Sequence, residues 1–251
     1  MIVLRIEIKA FEEVSLSLKL KPEYKSARRL SNLKILAATD FHGNAEAFQR
    51  TALKATESCV DLVLLCGDIT HFGSIEQAKE LLSCLSEIES PVLFVPGNCD
   101  PPTLIEEKVG TIECIHGRCR QMNNIDFLGV GGSSPSPFDT PFEITEVEIA
   151  MLLRQGLETC IGGGRVVLVS HSPPKNTIVD VTFGGDHVGS SSVREFIEKT
   201  KPMLVLCGHI HEAAGVDKIG KSIVVNPGPA RHRHCAFIDL DRNVRVRLDR
   251  L

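Results

Sequence analysis

The sequence predicts an α/β protein, and three observations carry that prediction. From Leu33 onward, short continuous apolar runs alternate with longer stretches whose apolar residues recur three and four apart. Each run ends in glycine and polar residues, so that oxygen and nitrogen donors collect where α/β sheets carry their sites. The bulk composition is that of a globular chain: 251 residues, 43% hydrophobic and 24% charged, long enough to bury a full core.

Taken in order, Ile2, Leu4, Ile6 and Ile8 alternate with polar residues, as do Val14, Leu16, Leu18 and Leu20. Two half-buried strands joined through Lys9 to Glu13 follow, a β-hairpin. Pro22 and the basic stretch Lys25 to Arg29 read as a linker, so residues 1–30 form an N-terminal hairpin extension and 31–251 the main domain. In the main domain, buried strands are predicted at Lys34 to Ala38, Asp61 to Leu65, Pro91 to Val95, Ile125 to Gly129, Arg165 to Val169, Met203 to Leu206 and Ile223 to Val225. Amphipathic helices are predicted at Ala45 to Cys59, Ser74 to Glu89, Thr145 to Thr159 and Ser191 to Thr200. Gly131 to Pro141 is loop by composition.

Charge and cysteine content narrow the classes of partner. Lys and Arg number 28 against 32 Asp and Glu, a net charge of -4 that advertises neither nucleic acid nor an anionic membrane. The first residues mix charge into their apolar positions and form no signal-peptide core. No apolar run approaches the roughly 20 residues of a membrane span, so a soluble protein is expected. The 9 cysteines are odd in number and lack a C-x-x-C pair, with Cys66, Cys160 and Cys207 in apolar stretches. Free thiols in a reducing, cytoplasmic home are expected rather than a disulfide framework.

The chemistry lies at the strand ends. The first run is followed by Asp40-Phe41-His42-Gly43-Asn44, the second by Gly67-Asp68, the third by Gly97-Asn98-Cys99-Asp100, and later ones by Ser170-His171-Ser172 and Gly208-His209-Ile210-His211. Singly, each has a structural explanation as a helix cap, turn or loop residue. Five in succession exceed what capping requires.

In this order the motifs resemble the calcineurin-like metallophosphoesterase family, from about Lys34 to Ala230. The resemblance implies a sandwich of two mostly mixed β-sheets flanked by helices, with a dinuclear metal site in the strand-end loops. It implies that Asp40, His42 and His211 bind the first metal, that Asn98, His171 and His209 bind the second, and that Asp68 bridges both. Residue chemistry agrees independently: a bridging ligand must offer lone pairs in two directions, which a carboxylate does and an imidazole does not. Imidazole, carboxylate and amide oxygen without thiolate suit two divalent ions of Mn, Fe, Ni, Co or Zn. The only Tyr, Tyr24, lies outside every motif, which excludes the branch of the family that places tyrosinate on iron. Two divalent ions offset by two carboxylates and a hydroxide keep surplus positive charge for a phosphoryl oxygen, and the hydroxide would attack phosphorus in line.

One position departs from the pattern. Most members carry Gly-Asn-His before Asp or Glu, the His serving the leaving group; here it is Cys99, followed by Asp100, as in a branch of small bacterial and archaeal phosphodiesterases. A thiol is a poor imidazole substitute. Candidate substitutes are His71, His187 in Gly184-Gly185-Asp186-His187, and a metal-bound water; Asp100 either orients Cys99 or a ligand histidine, or caps its segment. The loop from Gly131 to Phe142 is a pocket wall or a solvated Ω-loop, and Asn226-Pro227-Gly228-Pro229 offers N–H groups or a turn. Arg231-His232-Arg233-His234 either steers anions or forms a solvated edge. The expected function is a metal-dependent phosphodiesterase acting on a small phosphorylated substrate, with a catalytically weak scaffold or binding protein, or a nuclease, as alternatives. The hairpin either adds edge strands or pairs with a second copy as a homodimer.

Overall fold

Leu33–Ala38 (β1) shows why the predicted runs are continuous rather than alternating. In the computed structural model, which describes residues 32–161 and 164–251, Leu33, Ile35 and Ala37 pack into the space between two sheets, while Leu36 and Ala38 pack beneath helices. A strand covered on both faces needs apolar residues at every position. The hairpin and linker expected at residues 1–30 lie outside the described residues.

The remaining strands are β2 (Leu62–Leu65), β3 (Val92–Phe94), β4 (Glu113–Cys114), β5 (Cys119–Met122), β6 (Ile125–Val130), β7 (Val166–Ser170), β8 (Leu204–Leu206), β9 (Gly215–Ile219), β10 (Ser222–Asn226), β11 (His234–Leu240) and β12 (Val244–Arg250). They form two six-stranded sheets, ordered β12-β11-β1-β2-β3-β4 and β5-β6-β7-β8-β10-β9. Both sheets are mixed. β1 to β4 run parallel, β11 lies antiparallel between β1 and β12, and β6, β7, β8 and β10 run parallel between antiparallel edges β5 and β9. Phe127, Val167, Val169, Leu204, Leu206 and Val225 of the second sheet meet Ile35, Leu62, Leu64 and Leu93 of the first. The expected sandwich is therefore the observed architecture, and it brings the C-terminal ends of parallel strands from both sheets to a common edge.

The helices are α1 (Ala45–Glu57), α2 (Ile75–Ser83), α3 (Glu146–Glu158) and α4 (Ser191–Thr200). Asn44, Ser74 and Ser190 cap three of them through side-chain oxygens, and Thr145 with Glu148 forms a capping box on α3. α2 stops well short of the expected Glu89. At Cys84, Leu85 and Ser86 the amides switch to carbonyls three residues back, and the Ser83 and Ser86 hydroxyls donate to carbonyls likewise. Serine side chains competing for backbone carbonyls tighten the chain into turns.

Five strands lie outside the sequence expectation: β4, β5, β9, β11 and β12. β11 sits beside β1 in the middle of its sheet, with Leu33 opposite Leu240 and Ala37 opposite Ala236. Its run Cys235-Ala236-Phe237-Ile238 follows directly on the basic cluster Arg231 to His234, which hides the strand start. A further correction concerns cysteine. Cys160, just beyond α3, is disulfide-paired with Cys119 of β5, their Cα atoms 5.4 Å apart across a sequence separation of 41. α3 packs along β6 and its C-terminal end meets the start of β5, where the Cys119 amide donates to Thr159 Oγ1 at 3.2 Å, a juxtaposition invisible in the linear spacing. Cys66 and Cys207 are free and buried, as expected of small apolar side chains. No described helix is long and apolar enough to cross a membrane.

Candidate metal centre

The loops following β1 and β2 are zipped together before any side chain is considered. The amides of Asp40, His42 and Gly43 donate to the carbonyls of Gly67, Asp68 and Ile69 at 3.0, 2.8 and 2.9 Å. Asp40, His42 and Asp68 all take positive φ (56°, 47° and 52°), and His209 does so at 70°. Non-glycine residues rarely adopt this region, and its concentration in four candidate ligands marks a place where the surrounding fold holds strain for function.

The side chains then converge. His42 Nε2 lies 2.9 Å from His211 Nε2 and 3.4 Å from Asp68 Oδ2, and His211 Nε2 lies 3.5 Å from Asp40 Oδ1. Ligand atoms of Asp40, His42, Asp68 and His211 all fall within 4.8 Å of one another. On the other side of the same carboxylate, His171 Nε2 is 3.5 Å from Asp68 Oδ1 and 2.9 Å from Asn98 Oδ1. His209 stands edge-on to His171, ring centroids 5.1 Å apart, and its amide donates to Asp40 at 3.1 Å. The structure thus gathers all the expected ligands, and Asp68 turns one oxygen to each group.

The donor set fits divalent cations. Lone pairs of two imidazoles and two buried carboxylates point at one another with little to separate them, an arrangement that a cation relieves. Burial holds the imidazoles of His42 and His209 down to about 3, so both are neutral and ready to bind a metal. Burial opposes the charge of Asp40, but the hydrogen bond to His211 and the neighbouring imidazole charges outweigh it and bring its pKa to about 2. Asp68 goes the other way: burial, reinforced by Asp40 and Asp100, raises it to about 6 against the opposing charge of His171. His171 is oriented from behind by its Nδ1 contact to the Cys66 carbonyl at 2.7 Å, the outer partner typical of a metal-binding histidine.

The candidates around the departure at Cys99 separate cleanly. Cys99 donates its amide to Asp68 Oδ1 at 2.9 Å, and burial together with the Asp68 charge pushes its thiol pKa up, so it remains a neutral thiol. Asp100 is a clamp: it accepts from the amides of Ile69, Thr70 and Gly97 at 3.0, 2.7 and 2.8 Å, tying the Asp68 turn to the Asn98 turn. His71 has its Nδ1 3.3 Å from His42 Nδ1 and its ring stacked on Phe72. Ligand atoms of His42, His71 and Cys99 fall within 4.8 Å of one another, and the Phe72 amide donates to the Cys99 carbonyl at 3.0 Å. His71 therefore stands beside the residue that replaces the usual histidine. His187 is bound elsewhere, its Nδ1 2.7 Å from the buried Asp180 carboxylate.

The loop from Gly131 to Phe142 is anchored at its base, where the Phe142 amide donates to the Asn98 carbonyl at 3.0 Å, while Phe138 is 79% exposed. Asn226 to Pro229 is a turn: the Gly228 amide donates to Asn226 Oδ1 and Asn226 Nδ2 to the Ile210 carbonyl, both at 2.9 Å. In the basic cluster only Arg231 reaches the centre, with Nη2 3.1 Å from His211 Nδ1, whereas Arg233 faces Glu46 at 3.5 Å. The glycines preceding the candidate ligands, which the sequence presents as turn residues, are also required by close packing. A Cβ on Gly67, Gly97 or Gly208 would fall on His171, Asp68 or Thr39 respectively. Their signal was their place immediately before Asp68, Asn98 and His209.

This geometry has known counterparts. A model of the calcineurin-like phosphoesterase superfamily domain matches residues 33–242. The chain belongs to the calcineurin-like phosphoesterase superfamily. The phosphoesterase is 41% identical over 201 residues to an uncharacterised protein of Methanocaldococcus jannaschii, covering 78% of this chain and 88% of that one. It is 26% identical over 174 residues to a protein of Vesicomyosocius okutanii named a probable cyclic nucleotide phosphodiesterase, covering 68% and 71%. In fold it is similar to a protein of Thermus thermophilus, with a TM-score of 0.72 at 20% identity over 88% of this chain and 99% of that one. It is also similar to a dimetal phosphatase of Danio rerio, with a TM-score of 0.62 at 12% identity over 86% and 95%.

Proposed function

We propose that this phosphoesterase is a metal-dependent phosphodiesterase acting on a small phosphorylated substrate. The observation that carries the reading is the position of Asp68, one carboxylate oxygen toward His42 and the other toward His171. Asp40, His42 and His211 would hold one divalent ion, Asn98, His171 and His209 a second, with Asp68 between them. When bound, such ions supply Lewis acidity and lower the pKa of water for attack on phosphorus. The naming of three distant relatives as probable cyclic nucleotide phosphodiesterases supports the diester over the monoester.

The chain's own residues then account for the leaving group. With His42 Nε2 given to an ion, its Nδ1 carries hydrogen and donates to His71 Nδ1, which places the His71 hydrogen on Nε2. His71 is exposed and so can present that N–H as a hydrogen bond to the charge building on the leaving oxygen, with water supplying the proton, a task denied to the weakly donating thiol of Cys99 and to His187, held by Asp180.

The test is hydrolysis of bis-p-nitrophenyl phosphate beside p-nitrophenyl phosphate by protein stripped with chelator and reloaded with Mn, Ni, Co, Zn or Mg. Metal-dependent cleavage favouring the diester is expected; no turnover in protein holding two ions would instead favour a binding role. His71→Ala is expected to slow cleavage of an alkoxide-leaving substrate such as 2′,3′-cyclic AMP by about 100-fold, and that of bis-p-nitrophenyl phosphate by no more than about threefold. Equal losses on both would remove His71 from the leaving-group role.

A further inference from the structure

The candidate ligand histidines differ in what stands behind the nitrogen turned away from the centre. Behind His171 is a carbonyl and behind His42 an imidazole nitrogen, both able to accept a hydrogen. Behind His211 is the guanidinium of Arg231, at 3.1 Å, which has donors only. Because His211 Nε2 faces His42 and Asp40, binding a metal there puts the hydrogen of His211 on Nδ1. Two donors then face each other, a contact that an acceptor shared between them resolves.

Arg231 is itself uncommitted. Among the described residues it has no carboxylate partner, whereas Arg233 two positions on faces Glu46, and its buried Nε has no hydrogen-bond partner. Its backbone is held against the end of β1, with the Ala230 amide donating to the Thr39 carbonyl at 2.7 Å and the Arg231 amide to the Asp40 carbonyl at 3.4 Å. A guanidinium without a carboxylate partner, beside a centre that bound metals would make cationic, is an arrangement that calls for an anion.

We propose that Arg231 and the Nδ1–H of His211 form an anion subsite beside the metal centre that takes a second anionic group of the substrate, distinct from the phosphoryl group at the metals. The two nitrogens of an imidazole lie on different edges of the ring, so one phosphoryl group at the Nε2 side does not also satisfy the Nδ1 side. The preferred substrates are then phosphoesters with a further charged group, of which a nucleoside diphosphate is the simplest probe. The inference rests on the metal-centre reading above.

The test is calorimetric binding of AMP and of the non-hydrolysable α,β-methylene ADP to Mn-reloaded protein of measured metal content, in excess Mn. The unaltered protein is expected to bind α,β-methylene ADP at least about tenfold tighter than AMP, a single charge-assisted pair being sufficient for that ratio. Arg231→Gln is expected to bring the ratio near one, and Arg231→Lys to keep part of it. A ratio near one in the unaltered protein, absence of binding by both ligands, or a ratio that survives Arg231→Gln would overturn the subsite. The last outcome would place Arg231 on the metal-held phosphoryl group or in a purely structural role. Failure of the phosphodiesterase reading is read separately, as absence of turnover on bis-p-nitrophenyl phosphate whatever the binding ratio.

Discussion

Asp68→Asn is expected to abolish metal-dependent hydrolysis, by about a thousandfold or more, while making the metal-free protein more stable at neutral pH. The loss follows from geometry. Asp68 turns one oxygen to His42 and one to His171, and an amide keeps a single oxygen without the charge, so about 4 kcal/mol of transition-state stabilisation goes with it. The gain follows from linkage. Burial raises the Asp68 pKa from 3.8 to about 6, so the folded chain holds this proton more tightly than the unfolded one. A raised pKa contributes stability that is full below 3.8 and is lost as pH rises through about 6. At pH 8 the metal-free chain carries that carboxylate ionised and buried, a penalty of roughly 3 kcal/mol for a shift of about two units. Asparagine removes the charge and retains an oxygen for the Cys99 amide. In chelator at pH 8 the midpoint of thermal unfolding should rise by about 6 °C, with no gain at pH 4. An unchanged or lower midpoint at pH 8 would refute the electrostatic account. The same raised pKa predicts that metal uptake weakens as pH falls below about 6, because the carboxylate proposed to lie between the ions must first lose its proton.

Gly97→Ala is expected to be the most destructive small change at the centre, at about 3–5 kcal/mol, with loss of metal binding. Its Cβ would fall on the amide nitrogen and carboxylate of Asp68, and backbone has no rotamer in which to escape. The surrounding turns cannot shift apart, because Asp100 joins them through Gly97, Ile69 and Thr70. The comparison is Gly110→Ala, at an exposed turn with φ of 56° and nothing within 4 Å of a Cβ, which carries only the backbone strain of about 1 kcal/mol. Urea unfolding of the two variants checks this. Equal losses would mean that conformation, and not the close approach of the β2 and β3 turns, is what selects glycine at position 97.

Much of the centre was legible because α/β architecture ties local sequence to place. A buried strand must be apolar throughout, so its end is sharp, and polar residues immediately beyond it can only stand at the sheet edge. That is why Asp40, His42, Asp68, Asn98, His171, His209 and His211 stood out as donors at strand ends, while their grouping as candidate metal ligands came from the resemblance to the calcineurin-like metallophosphoesterases. The disulfide between Cys119 and Cys160 was illegible for the opposite reason: it depends on α3 packing on β6 so that its end reaches β5, and nothing near either residue encodes that path. β11 was hidden by a basic cluster at its start, although its apolar run has the same form as those that were read.

Linear order alone determined the α/β class, the strands that end in clustered oxygen and nitrogen donors and the suitability of those residue types for divalent ions, because each depends on periodicity or on chemistry carried by single side chains. Tertiary structure decided the roles of residues whose chemistry depends on neighbours. His71 and His187 were equal candidates until one was placed at His42 and the other at Asp180. Arg231 and Arg233, two positions apart, were one cluster until the β10–β11 connection turned the first to His211 and the second to Glu46. Asp100 was an orienting residue or a cap until four hydrogen-bond donors from two loops met on it. The physical reason is common to all three: a charge or a hydrogen acquires its function from the group opposite it, and which strand-end loops bring their residues opposite one another is decided only when the strands pair and the sheets pack.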